Sequence, residues 1–164
     1  MDGVVRTRVG YAGGTLADPT YRRLGDHSET IEVDYDPSVI TYADLLDAFW
    51  TNHDARRAPF STQYRSAVFY RTEEELAQAE ASRSRIEGVH GRVSTAIEPL
   101  DRFYRAEAYH QKFYWKQFAS EVERSAAGQV PDWRSPEFIA WASERGILES
   151  AAGKNAGKES VPAG

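Results

Sequence analysis

The sequence of 164 residues contains no cysteine. This absence excludes disulfide bonds, thiolate metal sites and a cysteine nucleophile in the sequence as printed. The sequence also lacks any run of about 18 consecutive apolar residues, so no transmembrane helix and no membrane contact are predicted. Its first residues, MDGVVRTRVG, do not follow the basic-then-apolar order of a secretion signal, and we therefore expect a cytoplasmic protein.

Basic residues are outnumbered by acidic ones. Lys and Arg total 20 against 25 Asp and Glu, which gives a formal net charge of -5. Binding to nucleic acid needs a basic patch. An unrelated α+β domain that binds nucleic acid is therefore disfavoured. Hydrophobic residues make up 41% and charged residues 27%, a composition typical of a globular domain with a buried core.

Apolar and polar residues alternate in two segments of the N-terminal half, which predicts strands over residues 4–11 and 30–37. Residues 12–29 between them are rich in Gly, Pro and Asp and form a long loop. Loops of this length are usually functional or disordered. The aromatic and paired polar residues in this one favour a functional loop.

Two pairs of residues have the spacing of helix N-caps. Thr41 with Asp44, and Thr72 with Glu75, each place an acidic residue three positions after a threonine. These pairs predict the starts of two helices. A short apolar run between the helices, residues 66–70, predicts a strand.

Alternation returns over residues 93–100, which predicts a further strand. The aromatic-rich segment 103–118 is predicted to be helical from about Ala106. Ser135 followed by Pro136 is typical of an N-cap and the first helical position, so a short helix is expected there. Strands interspersed with helices predict an α+β fold.

The character of the chain changes after the aromatic segment. We predict a main domain over residues 1–118 and a C-terminal helical extension over residues 119–148. Residues 149–164 are small, polar and rich in Gly and Ala, so they are expected to be a disordered tail.

The first candidate for chemistry is the pair Tyr21 and Glu29, with Asp26 and His27 between them. A carboxyl group in an aromatic-lined pocket can act as a general acid, because burial favours its neutral form. Tyrosine hydroxyls beside it can bind an oxygen that gains charge. The alternative is structural: Glu29 begins a strand, and Tyr21 packs on the sheet.

A second candidate is the polar run STQYRS at 61–66, where Tyr64 could add a hydroxyl to the same pocket. The alternative is a plain turn from loop to strand. The four histidines show no H-E-x-x-H or comparable spacing, and neither a phosphate loop nor a G-x-S-x-G motif occurs. No metal and no cofactor are therefore predicted.

Several segments, in order, together resemble the peptide-methionine (S)-S-oxide reductase family of the MsrA type and cover most of residues 3–117. They are GVVRTRVGYAGG at 3–14, PTYRRLGDHSETIEVDYDP at 19–37, LLDAFWTNHD at 45–54, STQYRSAVFY at 61–70 and FYRAEAYHQKFY at 103–114.

The resemblance implies a ferredoxin-like α/β plait with long loops. It also implies an oxidoreductase for protein repair under oxidative stress, which reduces Met-S-sulfoxide in proteins and free methionine S-oxide with thioredoxin or another thiol. In the family, a cysteine thiolate attacks the sulfoxide sulfur. By motif, Glu29 of GDHSE is the general acid, and Tyr21 of PTYR and Tyr64 of TQYRSA donate hydrogen bonds to the sulfoxide oxygen. A monomer is expected.

The family's G-C-F-W-G motif, which carries the nucleophilic cysteine, has no match in this sequence, and neither have the family's first strand and helix. That strand lies inside the family's sheet, so its loss would leave two unpaired edges. We therefore expect an N-terminally truncated form, and hypothesise that Met1 is an internal methionine. At two positions where the family commonly has an acidic residue, this sequence has Pro59 and Ala108 instead.

Two functions follow from these observations. The first is a sulfoxide reductase that is inactive as written, because tyrosine, glutamic acid and water supply no electrons. The alternative is a non-catalytic MsrA-like binding or degenerate module, which keeps the pocket of Tyr21, Glu29 and Tyr64 without redox chemistry.

Overall fold

The structure is a computed structural model that describes residues 1–124 and 135–145. Contacts divide the chain into two compact units, Met1–Gln111 and Lys112–Gly164, which are described separately below. The boundary expected at residue 118 stays a prediction, and the tail expected over residues 149–164 lies outside the described residues.

The described part of the chain contains both helices and strands, which confirms the predicted α+β class. In chain order, the elements are β1 Val4–Ala12, β2 Ser28–Tyr35, α1 Tyr42–Thr51, β3 Ala67–Tyr70, α2 Glu73–His90, β4 Ala96–Pro99, β5 Tyr104–Arg105, α3 Phe113–Arg124 and α4 Pro136–Glu144.

The strands of the first unit form two sheets. An antiparallel sheet has the order β2-β1-β5, and a separate pair consists of β3 parallel to β4. Gly10 lets β5 approach β1, because a Cβ atom there would collide with the Tyr104 carbonyl and the Phe103 ring. Among the described residues, no strand pairs with the outer edge of β2 or with the outer edge of β3.

Both predicted N-caps are confirmed. The Thr41 hydroxyl accepts the Asp44 N–H at 3.2 Å, while the Asp44 carboxylate accepts the Thr41 N–H at 2.9 Å, which completes a capping box at α1. The Thr72 hydroxyl accepts the Glu75 N–H at 3.1 Å and caps α2. These local hydrogen bonds satisfy backbone donors that the first helical turn leaves free.

The larger core packs α1 and α2 against the β3–β4 pair. Its buried members are Leu46, Trp50, Ala55, Ala79 and Val93. Inside this core the Trp50 indole N–H donates to the Ser82 hydroxyl at 2.9 Å, and that hydroxyl donates to the Ala79 carbonyl at 2.8 Å. The Ser82 hydroxyl thus accepts the indole N–H and has an acceptor for its own proton, so both buried donors are satisfied.

The helix predicted from Ala106 is wrong, because long-range hydrogen bonds hold this segment against β1. Tyr104 and Arg105 form β5, and the Ala106 N–H donates to the Val9 carbonyl at 3.0 Å. Lys112 then adopts a φ of 54°, a left-handed conformation that a helix cannot continue through. The helix therefore begins only at Phe113.

The second unit contains α3 and α4. The rings of Phe118, Phe138 and Trp141 lie within 5.9 Å of one another, measured between centroids. The Trp141 indole N–H donates to Glu121 at 2.7 Å. Ser135 caps α4 by accepting the Phe138 N–H at 3.1 Å, as predicted.

Replacing Ser82 with alanine is expected to lower the free energy of unfolding by about 1–3 kcal/mol, because the buried Trp50 indole N–H loses its acceptor. Urea denaturation followed by circular dichroism measures the change. The matched control is Ser84→Ala, two residues along α2 at an exposed position, which should change stability by less than about 0.5 kcal/mol. Equal effects of the two substitutions would contradict this role.

Candidate functional site

Two side chains that precede β2 form hydrogen bonds across the loop between β1 and β2. The Asp26 carboxylate accepts the N–H and the hydroxyl of Thr15, at 2.9 and 3.0 Å. These hydrogen bonds from Thr15 lower the pKa of Asp26. A long loop is thereby kept in one conformation.

His27 completes this closure and is almost fully buried. Its Nε2 lies 2.8 Å from the Leu16 carbonyl, which can only accept, so the proton is assigned to Nε2. Its Nδ1 is then free to accept the Gly14 N–H at 3.2 Å. Asp26 and His27 lie between the candidates Tyr21 and Glu29 in the sequence. In the structure, both side chains stabilise the loop through hydrogen bonds to its first residues.

Tyr21 is anchored to the rest of the unit through Glu107. One carboxylate oxygen of Glu107 accepts the Tyr21 N–H at 3.0 Å, and the other accepts the Tyr11 hydroxyl at 2.6 Å. Tyr11 is buried at the end of β1, so the carboxylate joins the sheet to the loop. The Tyr21 ring also packs on His110, with centroids 4.5 Å apart.

The charge of Glu107 is stabilised by these donors. The hydrogen bond from the Tyr11 hydroxyl is the main cause that lowers the pKa of Glu107. Burial, together with the Glu107 carboxylate, raises the pKa of Tyr11 well above its usual value. At neutral pH a carboxylate therefore faces a phenol, an arrangement that gives a strong charge-assisted hydrogen bond.

Glu29 is placed by the segment that precedes β3. Its N–H donates to the Gln63 carbonyl at 2.9 Å, and its side chain accepts the Gln63 amide at 2.6 Å. The neighbouring Ser28 hydroxyl donates to the Thr62 carbonyl at 2.9 Å. Backbone and side chain together fix the carboxyl group at the start of β2.

Tyr64 joins the same cluster. Its hydroxyl oxygen accepts the Gln63 amide at 3.0 Å and lies 3.5 Å from the Tyr21 hydroxyl. The hydrogen bond with Tyr21, desolvation and the Glu29 carboxylate raise the pKa of Tyr64 to about 12. The hydroxyl is consequently protonated at neutral pH and can donate a hydrogen bond.

The structure thus brings together Tyr21, Glu29 and Tyr64, the three residues that sequence analysis selected. Two phenol hydroxyls and one carboxyl group meet, and half of the Tyr64 side chain is open to solvent. Such a group can hold an oxygen atom that gains negative charge and can deliver a proton to it. Their individual roles stay predictions.

Sequence analysis missed two residues that position this cluster. Gln63 lies in the TQYRSA run directly before Tyr64, and Glu107 lies in the AEAYHQ run. Both runs belong to the segments that resemble the family, but neither residue can itself protonate or bind the sulfoxide oxygen in the predicted roles. A polar residue next to a candidate donor is the signal that could have found Gln63.

Two features are absent from the part of the chain that the structure describes. No group of three or more His, Asp or Glu side chains in residues 1–124 and 135–145 is arranged to hold a metal ion. Within the same ranges, no helix is long and apolar enough to cross a membrane.

The described residues thus form an α+β fold that carries a cluster of one carboxyl group and two phenol hydroxyls. The family model described as peptide methionine sulfoxide reductase matches residues 1–135. This match covers most of the chain, so the chain belongs to the peptide methionine sulfoxide reductase family.

Curated relatives agree with this assignment. The chain is 49% identical over 145 residues to peptide methionine sulfoxide reductase A5 of Arabidopsis thaliana, across 77% of this chain and 57% of the relative. It is 47% identical to peptide methionine sulfoxide reductase of Drosophila melanogaster, across 68% of this chain and 46% of the relative. The chain therefore spans about half the length of these two proteins.

Solved structures of the family share the fold. The reduced form of Mxr1 from Saccharomyces cerevisiae superposes with a TM-score of 0.65 at 28% identity, covering 79% of this chain and 77% of that one. Methionine sulfoxide reductase A of Corynebacterium diphtheriae gives a TM-score of 0.59 at 28% identity, covering 82% and 70%.

The Glu107 contacts predict a dependence of stability on pH. The pKa of Glu107 is lowered in the folded state. Its ionised carboxylate therefore adds to the free energy of unfolding at neutral pH, and this stabilisation is lost as the pH falls through the folded-state pKa. Glu107→Gln should cost about 1–2 kcal/mol near neutral pH, since a charged acceptor is lost. It should also flatten the decline of stability from about pH 7 to about pH 3.

Urea denaturation across this pH range measures both effects. Glu80→Gln, at an exposed position of α2, is the control and should keep the wild-type pH profile. A Glu107→Gln profile that parallels the wild type would show that the carboxylate charge does not stabilise the fold.

Proposed function

We propose that this chain binds the oxygen of methionine sulfoxide, in proteins or as the free amino acid, and serves as the acid and oxygen-binding part of a reductase. The observation that carries the proposal is the meeting of Tyr21, Glu29 and Tyr64 around Gln63. Tyr21 and Tyr64 donate hydrogen bonds to the sulfoxide oxygen, and Glu29 protonates it.

The reaction balances only with thiols. A thiolate attacks the sulfoxide sulfur, the sulfur–oxygen bond breaks, and the oxygen passes to the thiol as a sulfenic acid while methionine leaves as a thioether. Glu29 supplies the proton that the oxygen needs. A second thiol then converts the sulfenic acid to a disulfide and releases water.

The electrons must come from outside the 164 residues, because these contain no cysteine. The chain alone is therefore inactive, and thioredoxin or another thiol acts as reductant only where a nucleophilic cysteine is also supplied. The proposal also places the protein in the cytoplasm as a monomer.

The second candidate is a non-catalytic module that binds sulfoxides without reducing them. The lack of cysteine favours it directly. Both candidates use the same oxygen-binding cluster, and they differ in whether a thiol from elsewhere turns binding into reduction.

A turnover assay tests the electron argument. The purified chain is incubated with dithiothreitol and methionine sulfoxide, and methionine formation is measured by chromatography. We expect a rate equal to that of dithiothreitol alone. Clear catalysis by the cysteine-free chain would overturn the mechanism.

A binding assay tests the oxygen site. N-acetyl-methionine sulfoxide amide is titrated into the chain, and nuclear magnetic resonance follows the saturable shifts. Tyr64→Phe removes one hydroxyl and should weaken binding by about tenfold, because one hydrogen bond to a charged or strongly polar oxygen is lost. Tyr114→Phe, equally exposed but in the second unit, should bind like the wild type. Equal affinities of both variants would remove Tyr64 from the site.

The acid role of Glu29 is tested in a form of the protein that carries the nucleophilic cysteine. Glu29→Gln should lower kcat by about 10²–10⁴-fold, the range expected for lost acid catalysis, with a smaller change in KM. An unchanged kcat would exclude Glu29 as the proton donor.

A further inference from the structure

The Arg65 side chain directly follows Tyr64 in the chain and is mostly buried, with 19% of it exposed. Its guanidinium donates to both carboxylate oxygens of Glu98 on β4, and the contact to Oε2 measures 2.6 Å. Its Nε–H donates to the Ser28 hydroxyl at 2.7 Å. Because two parallel hydrogen bonds fix both the distance and the plane of a guanidinium, the Arg65 side chain is held in one orientation.

Ser28 connects this side chain to the segment that precedes β3. Ser28 is buried at the start of β2, and its hydroxyl both accepts from Arg65 and donates to the Thr62 carbonyl at 2.9 Å. The next residue, Glu29, donates its N–H to the Gln63 carbonyl at 2.9 Å. The start of β2 and the segment before β3 are therefore joined by hydrogen bonds from backbone and side chains together.

Gly13 leaves room for the guanidinium. A Cβ atom at Gly13 would lie 2.7 Å from Nη2 of Arg65 and 2.6 Å from the Phe69 ring. Gly13 also has a φ of 76°, a conformation that residues with a side chain rarely adopt. The guanidinium carbon lies 5.7 Å from the centroid of the Phe69 ring, a distance at which a cation is attracted to an aromatic face. The position is therefore suited to a planar cation.

Arg65 and Glu98 form an ion pair at neutral pH. The hydrogen bond from Arg65 is the main cause that lowers the pKa of Glu98, and the same contact raises the pKa of Arg65. Removing one member of a partly buried pair leaves the charge of the other without compensation. Glu98 therefore keeps the guanidinium in its place next to Ser28.

These contacts affect the oxygen-binding cluster through the connectivity of the chain. Ser28 immediately precedes Glu29, and Arg65 immediately follows Tyr64. The hydrogen bond between Ser28 and Arg65 therefore joins the two segments that carry the carboxyl group and the phenol. A displacement of about 1 Å between reacting groups is enough to lose much of the activity of a site. A link this close to both groups can prevent such a displacement.

We propose that Arg65 is a positioning residue that sets the spacing between the Tyr64 hydroxyl and the Glu29 carboxyl group. Glu98 holds its guanidinium, and Arg65 acts through Ser28 and through its own backbone rather than by contact with the substrate. The inference rests on the function proposed above, because this spacing matters for sulfoxide binding only if both groups act on the same oxygen.

Arg65→Lys tests the proposal, because lysine keeps the charge but lacks the planar fork that serves Glu98 and Ser28 together. N-acetyl-methionine sulfoxide amide is titrated into the full chain and followed by nuclear magnetic resonance. We expect the variant to bind about tenfold more weakly than the wild type, because a misplaced phenol loses its hydrogen bond to the oxygen. The matched control is Arg85→Lys, which alters an exposed ion pair with Asp47 between α2 and α1 and should bind normally.

A second readout separates positioning from a general loss of stability. The hydrogen bond with Tyr21, desolvation and the Glu29 carboxylate raise the pKa of Tyr64 to about 12. Loss of the spacing should lower this pKa toward the usual value of about 10. With tyrosines labelled at Cζ, carbon resonances near pH 10.5 should therefore show a protonated Tyr64 phenol in the wild type and in Arg85→Lys, and a partly ionised one in Arg65→Lys. Tyr64→Phe identifies the resonance.

The two readouts distinguish failure of this inference from failure of the proposed function. Wild-type affinity in Arg65→Lys would overturn the positioning role, and so would weaker binding with a Tyr64 phenol that stays protonated. If the wild type itself shows no saturable binding up to about 10 mM ligand, the proposed function fails, and an ionised phenol in Arg65→Lys would still support the role of Arg65 in the spacing.

Glu98→Gln keeps the test decisive if Arg65→Lys does not fold. Glutamine retains one carbonyl acceptor for the guanidinium but loses the charge and the second acceptor. We therefore expect changes in affinity and in the Tyr64 signal that have the same direction as those in Arg65→Lys and are smaller. Wild-type values of both in a folded Glu98→Gln would contradict the proposal.

Discussion

One carboxylate, that of Glu107, connects the sheet to the loop that carries Tyr21, a member of the cluster with Glu29 and Tyr64. It accepts the buried Tyr11 hydroxyl and the Tyr21 backbone N–H at the same time. Without a fixed point of this kind, a loop of this length has many conformations, and ordering it costs entropy. The cluster is therefore preorganised by a residue that does not belong to it.

Features encoded by neighbouring residues could be predicted from the sequence. The caps at Thr41, Thr72 and Ser135 depend on residues three positions away, and the strand patterns depend on simple alternation. The helix predicted from Ala106 failed because its hydrogen bonds go to Val9, about a hundred residues earlier in the chain. No local pattern records such a partner.

The same distinction applies to the site. Tyr21, Glu29 and Tyr64 were selected because their side chains suit the chemistry and their motifs resemble a known family. Gln63 and Glu107 contribute through contacts that only the folded chain reveals. The exposure of Ile31 is likewise invisible to alternation, which marks it as a residue for a buried face.

In the proposed function, the cluster of Tyr21, Glu29 and Tyr64 holds a single atom, the sulfoxide oxygen. Holding one atom of a pyramidal sulfur centre does not define its handedness, because both mirror-image sulfoxides can place their oxygen at the same point. Stereoselection therefore requires a separate wall that distinguishes the methyl group from the longer side-chain arm. Chiral preference and oxygen capture are in consequence physically separable, and substitutions can alter one while sparing the other.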